Sequence, residues 1–154
     1  MKHPKSYDST PETRKRMSKV KLKNGTAEQV LAKKLWHRGF RYRKNDKRLP
    51  GSPDIAIIKH RIAIFVDGEF WHGKDWDTRK SRLKSNREYW IEKIEENMAR
   101  DRRVDEQLRS MDWTPIHFWS KEALKDTESC ISDVINYIID NEYVDDLPDI
   151  ITEE

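Results

Sequence analysis

The sequence lacks the features that are typical of small secreted proteins and of membrane proteins. Its single cysteine, Cys130, excludes an intramolecular disulfide and a zinc site built from several cysteines. No run of 18 apolar residues is present, so no transmembrane helix is expected. The N-terminus also lacks the apolar stretch of a secretion signal. These absences predict a cytoplasmic protein with no membrane partner.

Hydrophobic residues are also scarce, at 35% of the 154 residues, whereas 38% are charged. A chain of this length fits one ordinary domain with a buried core. Residues 1–48 carry 16 Lys and Arg against 4 Asp and Glu, and residues 122–154 carry 1 against 11. The basic N-terminal third favours a polyanionic partner such as nucleic acid, although a solvated, disordered arm would have the same composition.

Hydrophobic periodicity and turn residues predict alternating helices and strands. A first helix begins at Thr10, and a capping box at residues 26–29 begins a second. Two apolar strands, 54–58 and 61–66, are joined at 59–60 and are expected to be buried on both faces. The remaining predicted segments are a strand at 40–43, a loop at 68–86, a helix at 88–111, a strand at 114–118 and a helix through 131–139. This order predicts an α/β fold with a mixed central sheet flanked by helices.

Several tryptophans, most of the histidines and the cysteine are not candidates for a functional site. Trp36, Trp113 and Trp119 are assigned to the core, and Cys130 is expected to be a small buried apolar residue. No role is assigned to four histidines: His3, His37, His60 and His117.

Four polar residues lie at the ends or on the inner faces of the predicted elements. Glu28 is in the first turn of the second helix, Asp54 begins the central strand, His72 follows the next strand, and Asp101 is on the long helix. Carboxylates are ligands for hard cations such as Mg²⁺, and an imidazole can act as a general base near neutral pH. This set is typical of metal-assisted phosphodiester hydrolysis.

Four motifs in order make the chain similar to a known family. They are Thr26-Ala27-Glu28, Leu49-Pro50-Gly51-Ser52-Pro53-Asp54, Phe70-Trp71-His72 and a helical block from Trp90 through Asn97 to Arg103. Together they resemble the very short patch repair (Vsr) DNA mismatch endonucleases, a branch of the restriction-endonuclease-like nucleases. The resemblance covers about residues 14–119. It implies a restriction-endonuclease-like fold with a basic DNA-binding arm at 1–24, a nuclease domain at 25–143 and an acidic tail at 144–154.

The resemblance also implies roles for the candidate catalytic residues. Asp54 would bind Mg²⁺, with Mn²⁺ as a possible substitute, and the backbone carbonyl of Val66 would be a second ligand. His72 would act as the base for water, and Glu28 and Asp101 would be supporting carboxylates.

The resemblance further implies how double-stranded DNA would be bound. Phe70, Trp71 and Trp90 would wedge into the base stack beside a mismatch, where unstacking costs least. Because an isolated mismatch has no two-fold symmetry, a monomer is expected. Further DNA contacts would come from Asn97 and from the basic arm, through Arg14, Lys15, Arg16 and Lys19.

The chain departs from the family at two places. The positions of the usual structural zinc ligands hold Glu69, Lys74, Trp76 and Lys121, so no zinc is expected, and packing of Trp76 with ion pairs would hold the loop instead. Asp67 stands where a second family histidine is expected and is a candidate metal ligand. In a rival assignment, Asp54 and Asp67 bind metal and Glu69 replaces the lysine of restriction-type nucleases.

Three functions are compatible with these residues. The leading hypothesis is a Mg²⁺-dependent endonuclease that nicks one strand beside a T:G mismatch in very short patch repair. A restriction-type or nicking endonuclease specific for a sequence or structure would use the same chemistry. A catalytically silent DNA-binding subunit would use only the basic arm and the aromatic loop.

Overall fold

Residues 25–141 are described by the computed structural model of the protein. The predicted helix beginning at Thr10, the basic arm at 1–24 and the acidic tail at 144–154 therefore lie outside the described residues. The elements are α1 (25–37), β1 (Arg43–Lys44), β2 (Ile55–Ile57), a turn of 3-10 helix (Ile58–His60), β3 (Ile62–Asp67), α2 (Trp76–Arg82), α3 (Arg87–Ser110), β4 (Thr114–Trp119), α4 (Ser120–Lys125) and α5 (Thr127–Asn141).

The four strands form one mixed sheet in the order β1-β2-β3-β4. The pairs β1–β2 and β2–β3 are antiparallel, whereas β3 and β4 run parallel. The predicted hairpin is confirmed, and its turn is the single turn of 3-10 helix that ends at His60 and is capped by Arg61. Every residue of β2 and β3 is buried, as their nearly continuous apolar sequence predicts.

Alternation along β3 divides the core between the two faces of the sheet. Ile62, Ile64 and Val66 join a cluster with the buried stripes of α1 and α5. Ala63 and Phe65 point to the opposite face, where they pack with Leu108 of α3. Helices therefore cover both faces, and the predicted mixed α/β, restriction-endonuclease-like architecture is confirmed. The next residue of β3 on the α3 face is Asp67, so the strand period directs this carboxylate towards α3.

Two of the predicted segments are wrong in detail. The stretch 68–86, predicted to be a loop, contains α2, a mostly polar helix with Trp76 as its buried residue. The strand predicted at 40–43 overlaps the observed β1 only at Arg43, because only Arg43 and Lys44 pair with β2. The short helix α4 between β4 and α5 was also not predicted.

The assignment of Trp36 to the core is wrong. Its side chain is 48% exposed, and the Arg41 guanidinium lies over its ring at 3.6 Å. Trp113 and Trp119 are partly buried, and Cys130 is buried as expected. No helix within residues 25–141 has both the length and the apolar content needed to span a bilayer.

Candidate active site

The carboxylate of Asp54 is fixed at the start of β2 by the neighbouring strand. The backbone N–H of Val66 donates to its Oδ2 at 2.7 Å. This contact places Asp54 beside Val66, the residue proposed to supply a carbonyl ligand. The buried Pro53 precedes Asp54 and holds the turn into the strand.

Asp54 is buried next to other negatively charged side chains. Burial of the carboxyl group, together with the negative charges of Glu28 and Asp67, raises the pKa of Asp54 to about 7, against the hydrogen bond from Val66. Glu28 is close enough to share a hydrogen bond with Asp54, so the structure brings together two carboxylates that the sequence separates by 26 positions. A divalent cation would relieve the repulsion between these groups, and oxygen donors suit a hard cation. The donor set therefore fits Mg²⁺.

His72, the candidate base, and Asp101, one of the two candidate supporting carboxylates, form a short contact. The distance from His72 Nδ1 to Asp101 Oδ2 is 2.6 Å. Because a carboxylate accepts, this geometry assigns the proton to Nδ1 and leaves Nε2 to accept from another molecule. Against the opposing effect of burial, the hydrogen bond to Asp101 and the charges of Asp67 and Asp101 raise the pKa of His72.

The loop that carries His72 is attached to α3 by a second contact. The side-chain amide of Asn97 donates to the backbone carbonyl of Trp71 at 3.1 Å. Asn97 therefore positions the loop from within the protein, and its predicted contact with DNA stays a prediction. Asn97 and Asp101 are four residues apart on one face of α3, so one helical face holds two consecutive loop residues.

His117, to which the sequence interpretation gave no role, belongs to this site. Its Nδ1 lies 2.6 Å from Asp67 Oδ2 and its Nε2 lies 2.6 Å from Asp105 Oδ1. Against the opposing effect of burial, the hydrogen bond and charge of Asp67, reinforced by Asp105, raise the pKa of His117 to about 9. His117 pairs with Phe65 across the parallel strands and stacks on its ring at 4.8 Å, so both side chains face α3. Alternation in β4 between buried Ile116 and Phe118 was the signal that could have placed His117 on this face.

A second group of potential metal ligands adjoins Asp54. Asp67, His72 and Asp101 offer ligand atoms that lie within 4.8 Å of one another. The short His72–Asp101 contact already uses one of these atoms from each residue, and His117 uses one oxygen of Asp67. Asp54 and this neighbouring group are therefore both candidates for holding a cation, and Asp67 lies between them.

Glu69 has a different role from the one in the rival assignment. Its Oε2 accepts a hydrogen bond from Ser120 Oγ at 2.7 Å, and its Oε1 accepts one from the backbone N–H of Lys121 at 2.7 Å. Both oxygens are thereby committed to the start of α4, which argues against Glu69 as the replacement for a catalytic lysine. The contact joins two of the positions expected to hold zinc in relatives.

The predicted support of the loop by Trp76 is present in the structure. Its ring is buried, and its Nε1–H donates to Glu95 Oε2 on α3 at 3.1 Å. Lys80 adds an ion pair with the same Glu95 oxygen at 3.3 Å. Packing and an ion pair thus connect α2 to α3, as the sequence predicts.

The three aromatic residues predicted to contact DNA form one cluster. The Phe70 ring lies 5.4 Å from those of Trp71 and Trp90, and the two indoles are 5.6 Å apart, all in edge-to-face arrangements. Tyr89 extends the cluster, with its ring 5.0 Å from Trp90. All four residues are partly exposed, so the cluster offers aromatic surface next to the loop that carries His72.

The site thus assembles most of the predicted residues. Of the predicted DNA-binding residues, the four in the basic arm lie outside the described range: Arg14, Lys15, Arg16 and Lys19. The described cluster contains the four predicted catalytic residues and two unpredicted ones, His117 and Asp105.

Comparison with known proteins identifies the family. The family model for DNA mismatch endonuclease Vsr matches residues 7–78. The chain is 54% identical over 121 residues to type II nicking enzyme V.HpaIIP of Haemophilus parainfluenzae, covering 77% of this chain and 86% of that protein. It is 46% identical over 134 residues to type II nicking enzyme V.NmeDIP of Neisseria meningitidis serogroup C, covering 86% and 90%.

A third relative has the family's own name. The chain is 33% identical over 105 residues to DNA mismatch endonuclease Vsr of Escherichia coli (strain K12), covering 68% of this chain and 67% of that protein. With these relatives and with Asp54, His72 and Asp101 at one site, the chain belongs to the Vsr family of DNA endonucleases.

Proposed function

We propose that the protein is a Mg²⁺-dependent DNA endonuclease that nicks one strand beside a T:G mismatch. One observation carries the proposal: a single loop bears both His72, held by Asp101, and the rings of Phe70 and Trp71. Hydrolytic residues and base-contacting rings are therefore only one or two positions apart. A mismatch recognised by the rings would lie next to the bond that is cut.

The metal would be held by Asp54 and the backbone carbonyl of Val66, with Glu28 beside them. When bound, Mg²⁺ would neutralise phosphate charge and favour attack by water. Mn²⁺ prefers similar oxygen ligands and is expected to substitute. The raised pKa of Asp54 supports this assignment, because a buried group of carboxylates favours a cation.

His72 would provide the base. With Nδ1–H directed at Asp101, Nε2 can take a proton from the attacking water. The water oxygen bonds to phosphorus as the bond to the 3′ oxygen breaks, and a proton returns to that oxygen. The products are a 5′-phosphate and a 3′-hydroxyl, as the family resemblance implies.

Recognition of the mismatch would rest on the aromatic cluster. A T:G wobble pair stacks less well than a Watson–Crick pair, so inserting a ring beside it costs less than at a matched step. Phe70, Trp71 and Trp90 are large and mutually supported, which keeps them presented for insertion. Such a wedge would discriminate without reading every base edge.

Phosphate contacts would come from cations around the cluster and from the arm. Residues 79–87, between α2 and the start of α3, contain five Lys and Arg and no Asp or Glu. This segment leads directly to Tyr89 and Trp90, so its cations lie next to the aromatic cluster in the sequence. The arm residues Arg14, Lys15, Arg16 and Lys19 would add contacts.

We propose that the protein acts in the cytoplasm. We also propose that it is a monomer, because an isolated mismatch offers no two-fold symmetry for a dimer to match.

A second candidate function is favoured by the names of the relatives. V.HpaIIP and V.NmeDIP are both called type II nicking enzymes. Single-strand cleavage within a defined sequence, with or without a mismatch, would use the same site. The two candidates differ only in what the DNA-binding surface selects.

A strand-resolved nicking assay separates the candidates. Duplexes with a T:G pair in varied flanking sequences are compared with their matched counterparts in Mg²⁺, and Asp54→Asn is the control for cleavage. Nicking confined to T:G duplexes is the expected result. Equal cutting of matched duplexes at one sequence would replace the mismatch proposal by the second candidate. Tight DNA binding without cutting in either Mg²⁺ or Mn²⁺ would favour the silent DNA-binding subunit.

A further inference from the structure

Three aspartates and two histidines alternate along one face of the site. In order they are Asp101, His72, Asp67, His117 and Asp105. Three of the four links are hydrogen-bond contacts of 2.6 Å, and the fourth, from His72 Nδ1 to Asp67 Oδ1, is 3.8 Å. Each histidine therefore lies between two carboxylates, and the two ends of the series meet on α3.

The helix and strands that carry these residues explain why the first and last members of the series lie close together. Asp101 and Asp105 are four residues apart, so they occupy one face of α3 a turn apart. Asp67 and His117 lie on the paired strands β3 and β4, and both face α3. Stacking of His117 on Phe65, with ring planes 11° apart, fixes the plane of the imidazole. Two neighbouring strands and one helix therefore set the positions of all the members except His72, which the loop supplies.

The link through Asp67 has a specific geometric consequence. His117 holds Oδ2 of Asp67, while Oδ1 stays 3.8 Å from His72 Nδ1, beyond hydrogen-bond length. A free Asp67 carboxylate could rotate and accept the Nδ1 proton that His72 now donates to Asp101. Competition of this kind would turn the His72 ring and redirect Nε2. Fixing Asp67 therefore preserves a single orientation of His72.

We propose that His117 is a positioning residue that holds the catalytic His72 through Asp67. Asp105 completes the arrangement by engaging the second ring nitrogen of His117. The inference rests on the proposed role of His72 as the base, and it adds that β4 takes part in orienting that base. His117 has no contact with DNA in this assignment.

The first test observes His72 directly in the metal-free protein. The ring N–H signals of ¹⁵N-histidine-labelled protein are recorded at one pH for wild type and three variants. His117→Phe keeps the stacking on Phe65 and removes both hydrogen bonds. His117→Asn keeps a donor near the position of Nδ1. His37→Phe makes the same chemical change at an exposed position on α1.

Wild type is expected to show a hydrogen-bonded Nδ1–H on His72, displaced far downfield. In His117→Phe this signal should move or broaden, in His117→Asn it should largely return, and in His37→Phe it should stay in place. An unchanged His72 signal in folded His117→Phe would overturn the proposal.

The second test is the single-turnover nicking rate together with the DNA dissociation constant. Loss of a residue that orients a functional side chain typically costs about 10–100-fold in activity. We expect that loss in rate for His117→Phe, a dissociation constant within about 3-fold of wild type, and partial rescue in His117→Asn. A rate equal to wild type in His117→Phe would overturn the proposal. If wild type cuts no DNA while the His72 signal still changes in His117→Phe, the proposed function would be refuted and the positioning role of His117 would remain.

Discussion

Gly73, the residue after His72, provides the sharpest test of how the loop that carries His72 is held. Its φ is +72°, which lies in the left-handed region, and it is buried against α3. A Cβ at this position would lie 2.4 Å from Sδ and 3.0 Å from Cγ of Met98. Ordinary carbon contacts are about 3.5–4.0 Å, so Gly73→Ala forces the loop and α3 apart or displaces the methionine.

The cost has two parts. A left-handed conformation costs a non-glycine residue roughly 1–2 kcal/mol, and overpacking costs typically about 1–3 kcal/mol. The flexible thioether of Met98 can yield, which keeps the second part near its lower end. We therefore expect Gly73→Ala to lower the free energy of unfolding by about 2–3 kcal/mol. For a chain of this size this corresponds to a fall in Tm of roughly 4–12 °C.

The assay is thermal denaturation followed by circular dichroism, with the nicking rate measured on the same samples below the transition. Gly25→Ala is the matched control, because no described atom lies within 4 Å of its added Cβ. That control should change stability by less than about 1 kcal/mol in either direction, because Gly25 is the first residue of α1 and its added Cβ meets no neighbour. Because the His72–Asp101 contact adjoins Gly73, we also expect a lower nicking rate in Gly73→Ala. A Tm within about 1 °C of wild type would refute this account of the loop.

Three further perturbations test other parts of the structure. The hydrogen bond from Arg48 lowers the pKa of Asp46 from 3.8 to about 2, so the ionised carboxylate stabilises the fold above pH 4 and loses that effect as the pH falls towards 2. The variant Asp46→Asn should therefore lose less stability than wild type between pH 4 and pH 2. An acid-unfolding curve identical to that of wild type would contradict this. In Glu69→Gln, a side-chain amide replaces the carboxylate that accepts hydrogen bonds from Ser120 and Lys121, so the free energy of unfolding in urea should fall by about 2 kcal/mol. Unchanged stability would show that these two hydrogen bonds do not stabilise the fold. Trp90→Ala should weaken binding to a T:G duplex roughly 5–100-fold, more than to a matched duplex; equal weakening of both would argue against a wedge.

The strands and long helices were predictable because each has a strong local signal. The apolar runs of β2 and β3 predict burial on both faces, and both strands are buried throughout. The long helix α3 follows from a repeating apolar face that includes Ile94 and Leu108, and it spans Arg87–Ser110 where 88–111 was predicted. The predicted and observed bounds agree here because the hydrophobic periodicity of each element is visible in a short window of sequence.

The missed elements lack such a signal. In α2 one apolar residue, Trp76, is buried among seven, and its hydrogen bond to Glu95 comes from a distant part of the chain. Trp36 lies in a helix with a clear apolar stripe, and the sequence did not reveal that its ring stacks beneath Arg41 at the surface. Propensity predicted neither feature because tertiary contacts decide both.

The site was predictable only where a motif marked it. Asp54, His72 and Asp101 stand in recognisable blocks, and the structure brings them to one place. His117 stands in no block, and its partners are 50 and 12 positions away in the sequence. Pairing of β3 with β4 creates that contact, so strand register, which the sequence alone did not give, was needed to find it.

The central claim is that the cluster around Asp54 and His72 cuts one DNA strand with the help of a divalent cation. The most direct measurement is nicking of a strand-labelled T:G duplex by wild type and Asp54→Asn, with Mg²⁺ and with a chelator, alongside the DNA dissociation constant of each. The account predicts a single-strand cut by wild type in Mg²⁺, no cut with the chelator, and binding without cutting by Asp54→Asn. Cleavage in the chelator, or cleavage by Asp54→Asn at the wild-type rate, would contradict it.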